Sequence, residues 1–237
     1  MPTAAVHTVL VPGLLCSARL YDELLPAVWS YGGATVADTR RDSTMTGMAR
    51  RLLDAAPDRF ALVGLSMGGY VALEVMRLAP ERVSALGLIS TSARPDSAEQ
   101  AASRREQQRA VAAGRFTELV EAVYPVLVDA GNVARPDLAG AWRRMALEIG
   151  PDAFVTQLDA AVDRPDSRPD LASIRCPTSV IHGTGDRLIA AENAVELADG
   201  IPGARLTLVQ DAGHMIAQEQ PAAVAAAVSE LLDVVAR

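Results

Sequence analysis

The sequence predicts an α/β fold, a doubly wound and mainly parallel sheet of six strands with a helical cap inserted before the penultimate strand. Three observations carry this expectation. Short apolar runs alternate with segments of helical period along most of the chain, as repeated strand–helix–strand units require. The runs are rich in Val, Ile and Leu without clean polar alternation, which suits strands covered on both faces. One long stretch, 93–169, breaks the rhythm with helical patterns and no convincing strand.

The expected strands are 8–11, 34–37, 60–63, 85–89, 179–181 and 206–209. After the first, Ser17 can cap a helix whose positions Leu20, Leu24, Leu25 and Val28 fall on one side. Helices are expected at 44–56, 67–78, 190–199 and 221–236. In the long insertion, Ser97-x-x-Gln100 reads as a capping box. Phe116, Leu119, Val120 and Val123 then form a stripe, and two further helices carry Trp142, Met145, Phe154 and Leu158. RPDSRPDL (164–171) is a stiff return to the sheet. The organisation that follows is a core of residues 1–92 and 170–237, with residues 93–169 as a cap over the sheet's carboxyl edge.

Composition narrows the function. Half of the 237 residues are hydrophobic, enough for a sizeable core, and the net charge of −7 argues against a nucleic-acid or anionic-membrane surface. No apolar run approaches the roughly 20 residues of a membrane span. MPTAAVHTVLVPGLL lacks a basic leader, and Pro12-Gly13 interrupts its apolar stretch, which argues against a secretion signal. Cys16 and Cys176 have no metal-like spacing and read as reduced thiols in a cytoplasmic protein. No HExxH or clustered His/Cys/carboxylate set is present, so neither a metal nor another cofactor is expected.

The chemistry concentrates in LVGLSMGGY, residues 62–70. Gly64-Leu65-Ser66-Met67-Gly68 lies between an expected strand and an expected helix, the context of a nucleophile elbow. So tight a turn strains the serine backbone and leaves no room for side chains at 64 and 68, while it projects Oγ above the sheet. Ser66 is the expected nucleophile, and a serine hydroxyl needs a base. Of three histidines, His7 precedes the first strand and His182 ends the fifth as a satisfied structural imidazole. His214 hangs on the loop after the last strand, at the carboxyl edge, and is the expected base. Asp186, after the fifth strand, is preferred as the orienting acid over Asp96, which reads as a residue that starts a helix. Asp211 is expected to shape the histidine loop. The oxyanion needs two backbone donors. Met67 N–H follows the nucleophile, and Leu14 N–H follows the first strand in Pro12-Gly13-Leu14-Leu15.

These segments resemble the α/β-hydrolase superfamily over essentially the whole chain: VPGLLCS for the oxyanion loop, VGLSMGG for the elbow, HGTGDRL for the acid and DAGHMIAQEQP for the histidine. Pro12-Gly13 stands where His-Gly is common, and the chain before Thr8 is too short for the antiparallel strands of larger members. Ser66 argues against the haloalkane dehalogenases and epoxide hydrolases, which resemble this fold but use aspartate there. The resemblance implies a serine hydrolase, as monomer or homodimer, acting on a small, largely apolar carboxylic ester through an acyl-enzyme. The same triad also serves C–C bond hydrolysis, lactones, thioesters, aminopeptidase chemistry and cofactor-free peroxidation. A ligand-binding receptor that keeps the triad is the reading from another class. Leu14, Leu15, Phe116, Trp142 and Phe154 are the expected substrate contacts.

Overall fold

The computed structural model describes residues 5–236. Residues 1–4 and 237, the outer ends of the expected core and part of the N-terminal stretch, lie outside the described residues. Six strands, β1 (Thr8–Val11), β2 (Ala34–Val36), β3 (Phe60–Leu65), β4 (Val83–Ile89), β5 (Thr178–Gly183) and β6 (Arg205–Val209), form one sheet. Every pairing is parallel, in the order β2-β1-β3-β4-β5-β6. Nine α-helices accompany it among the described residues: α1 (Leu25–Trp29), α2 (Met45–Ala55), α3 (Met67–Leu78), α4 (Ala98–Ala112), α5 (Phe116–Leu127), α6 (Pro136–Val162), α7 (Ala191–Gly200), α8 (Ile216–Glu219) and α9 (Pro221–Val235).

The two faces of the sheet build two cores, and the alternation of side chains along each strand assigns residues to them. Val9, Val11, Leu62, Leu86, Leu88 and Val180 point toward α2, α3 and α7. Leu10, Ala61, Val63, Ala85, Ile89 and Ile181 point toward α1, α9 and the inserted helices. Burial on both faces explains why these strands read as unbroken apolar runs. Within β4 the small residue fits a tight spot. A Cβ on Gly87 would press on the Val63 side chain of the neighbouring strand.

The helix expected after β1 is broken in two. Ser17 does cap, but it caps a 3-10 turn, Ala18–Tyr21, and α1 restarts at Leu25 with Pro26 in its first turn. A proline there has no N–H to donate back to residue 22, so the first turn cannot continue into the second. Leu20, Leu24 and Val28 are buried as expected, and Leu25 is only half-buried.

α4, α5 and α6 lie between β4 and β5. The capping box at Ser97 and Gln100 forms in both directions. α6 is two helices that meet at a kink at Gly150, whose φ of 81° is left-handed and which is followed by Pro151. Trp142 and Met145 sit before this break, Phe154 and Leu158 after it, and all four are buried. The outgoing and returning connections of the insertion meet where Ser167 N–H donates to Ala93 O at 2.8 Å. Asp96 holds the same junction. Its carboxylate, 1% exposed, pairs with Arg104 at 2.6 Å and with Arg164. It is therefore a buried ionic anchor rather than the simple helix-starting residue expected, because two guanidiniums converge on it from α4 and from the return segment.

Candidate active site

β1 has β2 on one side and β3 on the other, and the chain leaves β1 and β3 toward opposite faces of the sheet. Such a reversal opens a crevice at the carboxyl ends of the two strands. The loop 12–16 leaves β1 and the Ser66 turn leaves β3, so both border that crevice. Ser66 sits at φ 55° and ψ −116°, a region strained for any residue with a side chain. The turn survives because its flanks are bare. A Cβ on Gly64 would strike the Gly68 carbonyl, and one on Gly68 would strike Val11 O. Ser66 N–H donates to Ile89 O at 2.9 Å, and Thr91 Oγ1 donates to Ser66 O at 2.8 Å, so the main chain is held on both sides.

Asp186 lies in the turn after β5, and His214 in the loop after β6. His214 Nδ1 and Asp186 Oδ2 are 2.8 Å apart. The other carboxylate oxygen accepts from the Leu188 and Ile189 amides at 2.8 and 2.9 Å. Burial alone would raise the Asp186 pKa. The His214 imidazole, by charge and by hydrogen bond, outweighs it with help from the two amides, and the carboxyl is held below its ordinary 3.8. Asp186 is thus an anion that orients the ring and favours the Nδ1–H tautomer, which leaves Nε2 as an acceptor. Ser66 and His214 line one cavity. Among the described residues no hydrogen bond is formed through Ser66 Oγ, a looseness common before substrate tightens a site.

The histidine loop is fastened by groups that sequence reading missed. Glu219, buried at the end of α8, accepts from Gly213 N–H at 2.8 Å, from Asp129 N–H at 2.7 Å and from Asn132 Nδ2 at 2.9 Å. Met215 N–H donates to Leu127 O at 2.9 Å. A Cβ on Gly213 would run into the backbone of Val128 and Asp129, so glycine is what permits this close approach. Asp211 shapes the loop as expected: it takes φ 55°, and its carbonyl accepts from Asn132 Nδ2. His182 is not the satisfied imidazole expected. Its Nε2 meets Ile189 O at 3.0 Å, while the fully buried Nδ1 has no partner among the described residues. His7 stays at the opposite edge, against Thr35 Oγ1 at 2.8 Å.

Met67 opens α3, so its N–H has no acceptor inside the helix. Across the crevice, Leu15 is left-handed at φ 58°, and its N–H donates to Gln157 Oε1 of α6 at 3.0 Å. Gln157 is fully buried and donates in turn to Thr39 Oγ1 at 3.1 Å. This bridge turns the loop so that Leu14 lines the cavity beside Met67.

The cavity measures about 190 Å³. Leu14, Leu15, Leu119, Val123, Trp142 and Phe154 line it. Phe116 is not among its lining residues. Its ring packs on Phe154 with centroids 5.9 Å apart, joining α5 to α6 instead of facing the cavity. Tyr70, Leu188 and Ile189 add apolar surface, and Gln100, Ser103, Arg104 and Gln107 form a polar wall that sequence reading did not find. Cys16 also borders the cavity, but burial pushes its thiol up to about 12, which leaves it protonated and unreactive near neutral pH. Among the described residues no cluster of three or more His, Cys, Asp or Glu side chains could hold a metal ion, and no helix is long and apolar enough to cross a membrane.

Residues 8–227 match the family model described as the alpha/beta hydrolase family. The chain is 30% identical over 226 residues to a pimeloyl-[acyl-carrier protein] methyl ester esterase of Aromatoleum aromaticum, covering 88% of this chain and 85% of that one. It superposes on a thermophilic esterase of Thermogutta terrifontis, solved with malate bound, at TM-score 0.90 and 27% identity, over 99% of this chain and 92% of that one. The enol-lactonase of Burkholderia xenovorans LB400 shares the fold at TM-score 0.87 and 24% identity, over 97% and 92% of the two chains.

Proposed function

The chain belongs to the alpha/beta hydrolase family, and on that premise we propose that it is a cytoplasmic serine hydrolase of small, largely apolar carboxylic esters, working through Ser66, His214 and Asp186. One observation carries the reading. The hydrogen-bonded Asp186–His214 pair, 2.8 Å apart, opens into the same apolar cavity as a serine held at φ 55° on a strained turn. A purely structural serine needs neither the strain nor the buried base.

His214 Nε2 removes the proton from Ser66 Oγ as the oxygen attacks the ester carbonyl. The imidazolium that forms is stabilised by the Asp186 anion. Charge on the carbonyl oxygen is met by the Leu14 and Met67 amides, preorganised by the Gln157 bridge and the start of α3. The tetrahedral species collapses, His214 returns the proton to the departing alcohol, and an acyl group remains on Ser66. Water, deprotonated by the same nitrogen, then releases the acid. Trp142, Phe154, Leu119 and Val123 shelter the acyl chain, and each methylene buried there contributes on the order of 0.8 kcal/mol.

The test is hydrolysis of p-nitrophenyl esters from acetate to laurate, with a fluorophosphonate label at the serine. Ser66→Ala and His214→Ala each remove nearly all turnover, and the double variant loses little more, because the two act as one unit. Ser66→Ala also abolishes labelling. Substantial turnover by Ser66→Ala on several esters overturns the reading, and a single acylation burst without turnover points to a ligand-binding receptor instead.

A further inference from the structure

The cavity is not uniformly apolar, and its one polar wall carries charge. Gln100, Ser103, Arg104 and Gln107 recur at helical spacing, so one face of α4 is turned to the acyl space. No acidic residue lines the cavity, and apart from His214 the only ionisable cationic side chain on its lining is Arg104, among the described residues. Behind it, Arg104 and Arg164 share the single buried carboxylate of Asp96. The remaining partners of the Arg164 guanidinium are the neutral carbonyls of Arg94 and Ala161 and the face of the Tyr70 ring, 4.1 Å away. Two guanidiniums against one carboxylate leave one positive charge uncompensated in a largely buried cluster, with Arg104 19% exposed beside the cavity of a chain whose net charge is −7. Buried charge of this kind is costly unless something answers it.

We infer that the acyl substrate carries an anionic group at the end remote from the ester, a carboxylate above all, and that Arg104 with its polar neighbours on α4 receives it. The substrate class is then the half-ester of a dicarboxylic acid or an acyl compound with an equivalent distal anion. The apolar walls of Trp142, Phe154 and Leu119 hold the methylenes between the two ends. Arg104 is a specificity residue in this scheme and takes no part in bond making. The inference rests on the ester-hydrolase reading above and adds the chemistry of the far end of its substrate.

The experiment compares monomethyl esters of dicarboxylic acids of four to eight carbons with methyl esters of the matching monocarboxylic acids, by methanol release, for the wild type, Arg104→Gln and Arg104→Lys. The readout is the ratio of kcat/KM for charged over neutral ester at each length. A weaker fold or a broken Asp96 ion pair lowers both members of a pair and leaves the ratio in place. Removing a charge-assisted hydrogen bond to the substrate lowers the ratio by on the order of ten- to a hundredfold in Arg104→Gln, chiefly through KM, with partial recovery in Arg104→Lys. A ratio unchanged at every length overturns the inference while ester hydrolysis stands. If no ester is turned over, the ester reading fails, and adipate in a thermal-melt titration decides the anion site alone. A concentration-dependent rise in Tm that Arg104→Gln abolishes supports it. No rise, or the same rise in both proteins, overturns it.

Discussion

Replacing Gln157 with methionine keeps the volume of a fully buried side chain and removes its whole hydrogen-bonding capacity. Two groups then go without a partner, the Leu15 N–H at 3.0 Å and the Thr39 hydroxyl at 3.1 Å. An orphaned buried donor costs about 1–3 kcal/mol, and the hydroxyl adds about 1 kcal/mol. A loss of about 2–4 kcal/mol lowers Tm by roughly 5–15 °C at this chain length. The effect on catalysis is separate. Leu15 is held left-handed with its amide on Gln157, and that anchor aims the preceding peptide at the cavity. Removing an oxyanion donor outright costs about 10²–10³ in kcat. Loosening one that remains in place is expected to lower kcat by roughly ten- to a hundredfold, with KM changed much less. Kinetics at 20 °C, well below the melt, with differential scanning fluorimetry on the same sample, separate the two effects. A variant that melts early yet keeps its kcat refutes the link between Gln157 and the oxyanion loop, and Gln157 is then a prop of the fold alone.

The two acids separate in opposite directions. Asp186→Asn lowers kcat by about 10⁴ with a modest change in stability, since His214 loses the partner that fixes its tautomer. Asp96→Asn strips two buried guanidiniums of their counter-ion and costs about 3–5 kcal/mol in chemical denaturation, with the larger part of kcat retained. The reverse ranking would place the catalytic acid after β4. Acid lability is expected from His182, whose imidazole is held below its ordinary 6.5 first by burial. The unfolded chain therefore takes up this proton before the folded one does. The stability is whole above about pH 6.5 and is lost as pH falls through the lower folded value, with a slope of at most about 1.4 kcal/mol per pH unit. Asp186, held below 3.8, adds a second loss of the same sign in stronger acid. Urea midpoints from pH 7.5 to 5 check this, and His182→Gln is expected to flatten the upper part of the curve.

What was legible in the sequence was what local sterics impose. Gly64 and Gly68 flank Ser66 because no Cβ fits there, and that constraint shows within five residues. The strands show because both faces are buried, and the loops bearing Asp186 and His214 show because strand ends are easy to place. The supports of the site were hidden by distance along the chain. Leu15 and Gln157 are 142 residues apart, and Gln157 lies beside Leu158 in what reads as a plain apolar helix. Glu219 reads only as part of a helix start, and its three donors come from residues 129, 132 and 213. Asp96 reads as a residue that starts a helix because its partners Arg104 and Arg164 meet only in the folded chain. Phe116 shares the stripe of Leu119 and Val123, and periodicity does not tell which side of an inserted helix faces its neighbour and which the cavity. The break before α1 was readable, at Pro26.

The insertion is wired into both halves of the proposed catalytic apparatus, to the loop after β1 through Gln157 and to the histidine loop through Leu127, Asp129 and Asn132. Arg187, next to Asp186, also reaches the carbonyls of Pro125 and Val128 at the end of α5. A module so connected cannot be exchanged like a cassette. A chimaera that takes residues 97–168 wholesale from another hydrolase would import a new binding wall and discard the bonds that hold the proposed base and oxyanion donors, so low activity is expected whatever the new wall recognises. Productive grafts have cut points inside the insertion, keeping 125–132, the Gln157 turn and the Arg104–Asp96 pair from this chain and drawing the rest of α4 and the first half of α6 from the donor. α4, whose residues are mostly exposed, can be redrawn to change what is bound as long as Arg104 stays on Asp96, while the segments that touch the loops have to be exchanged together with them.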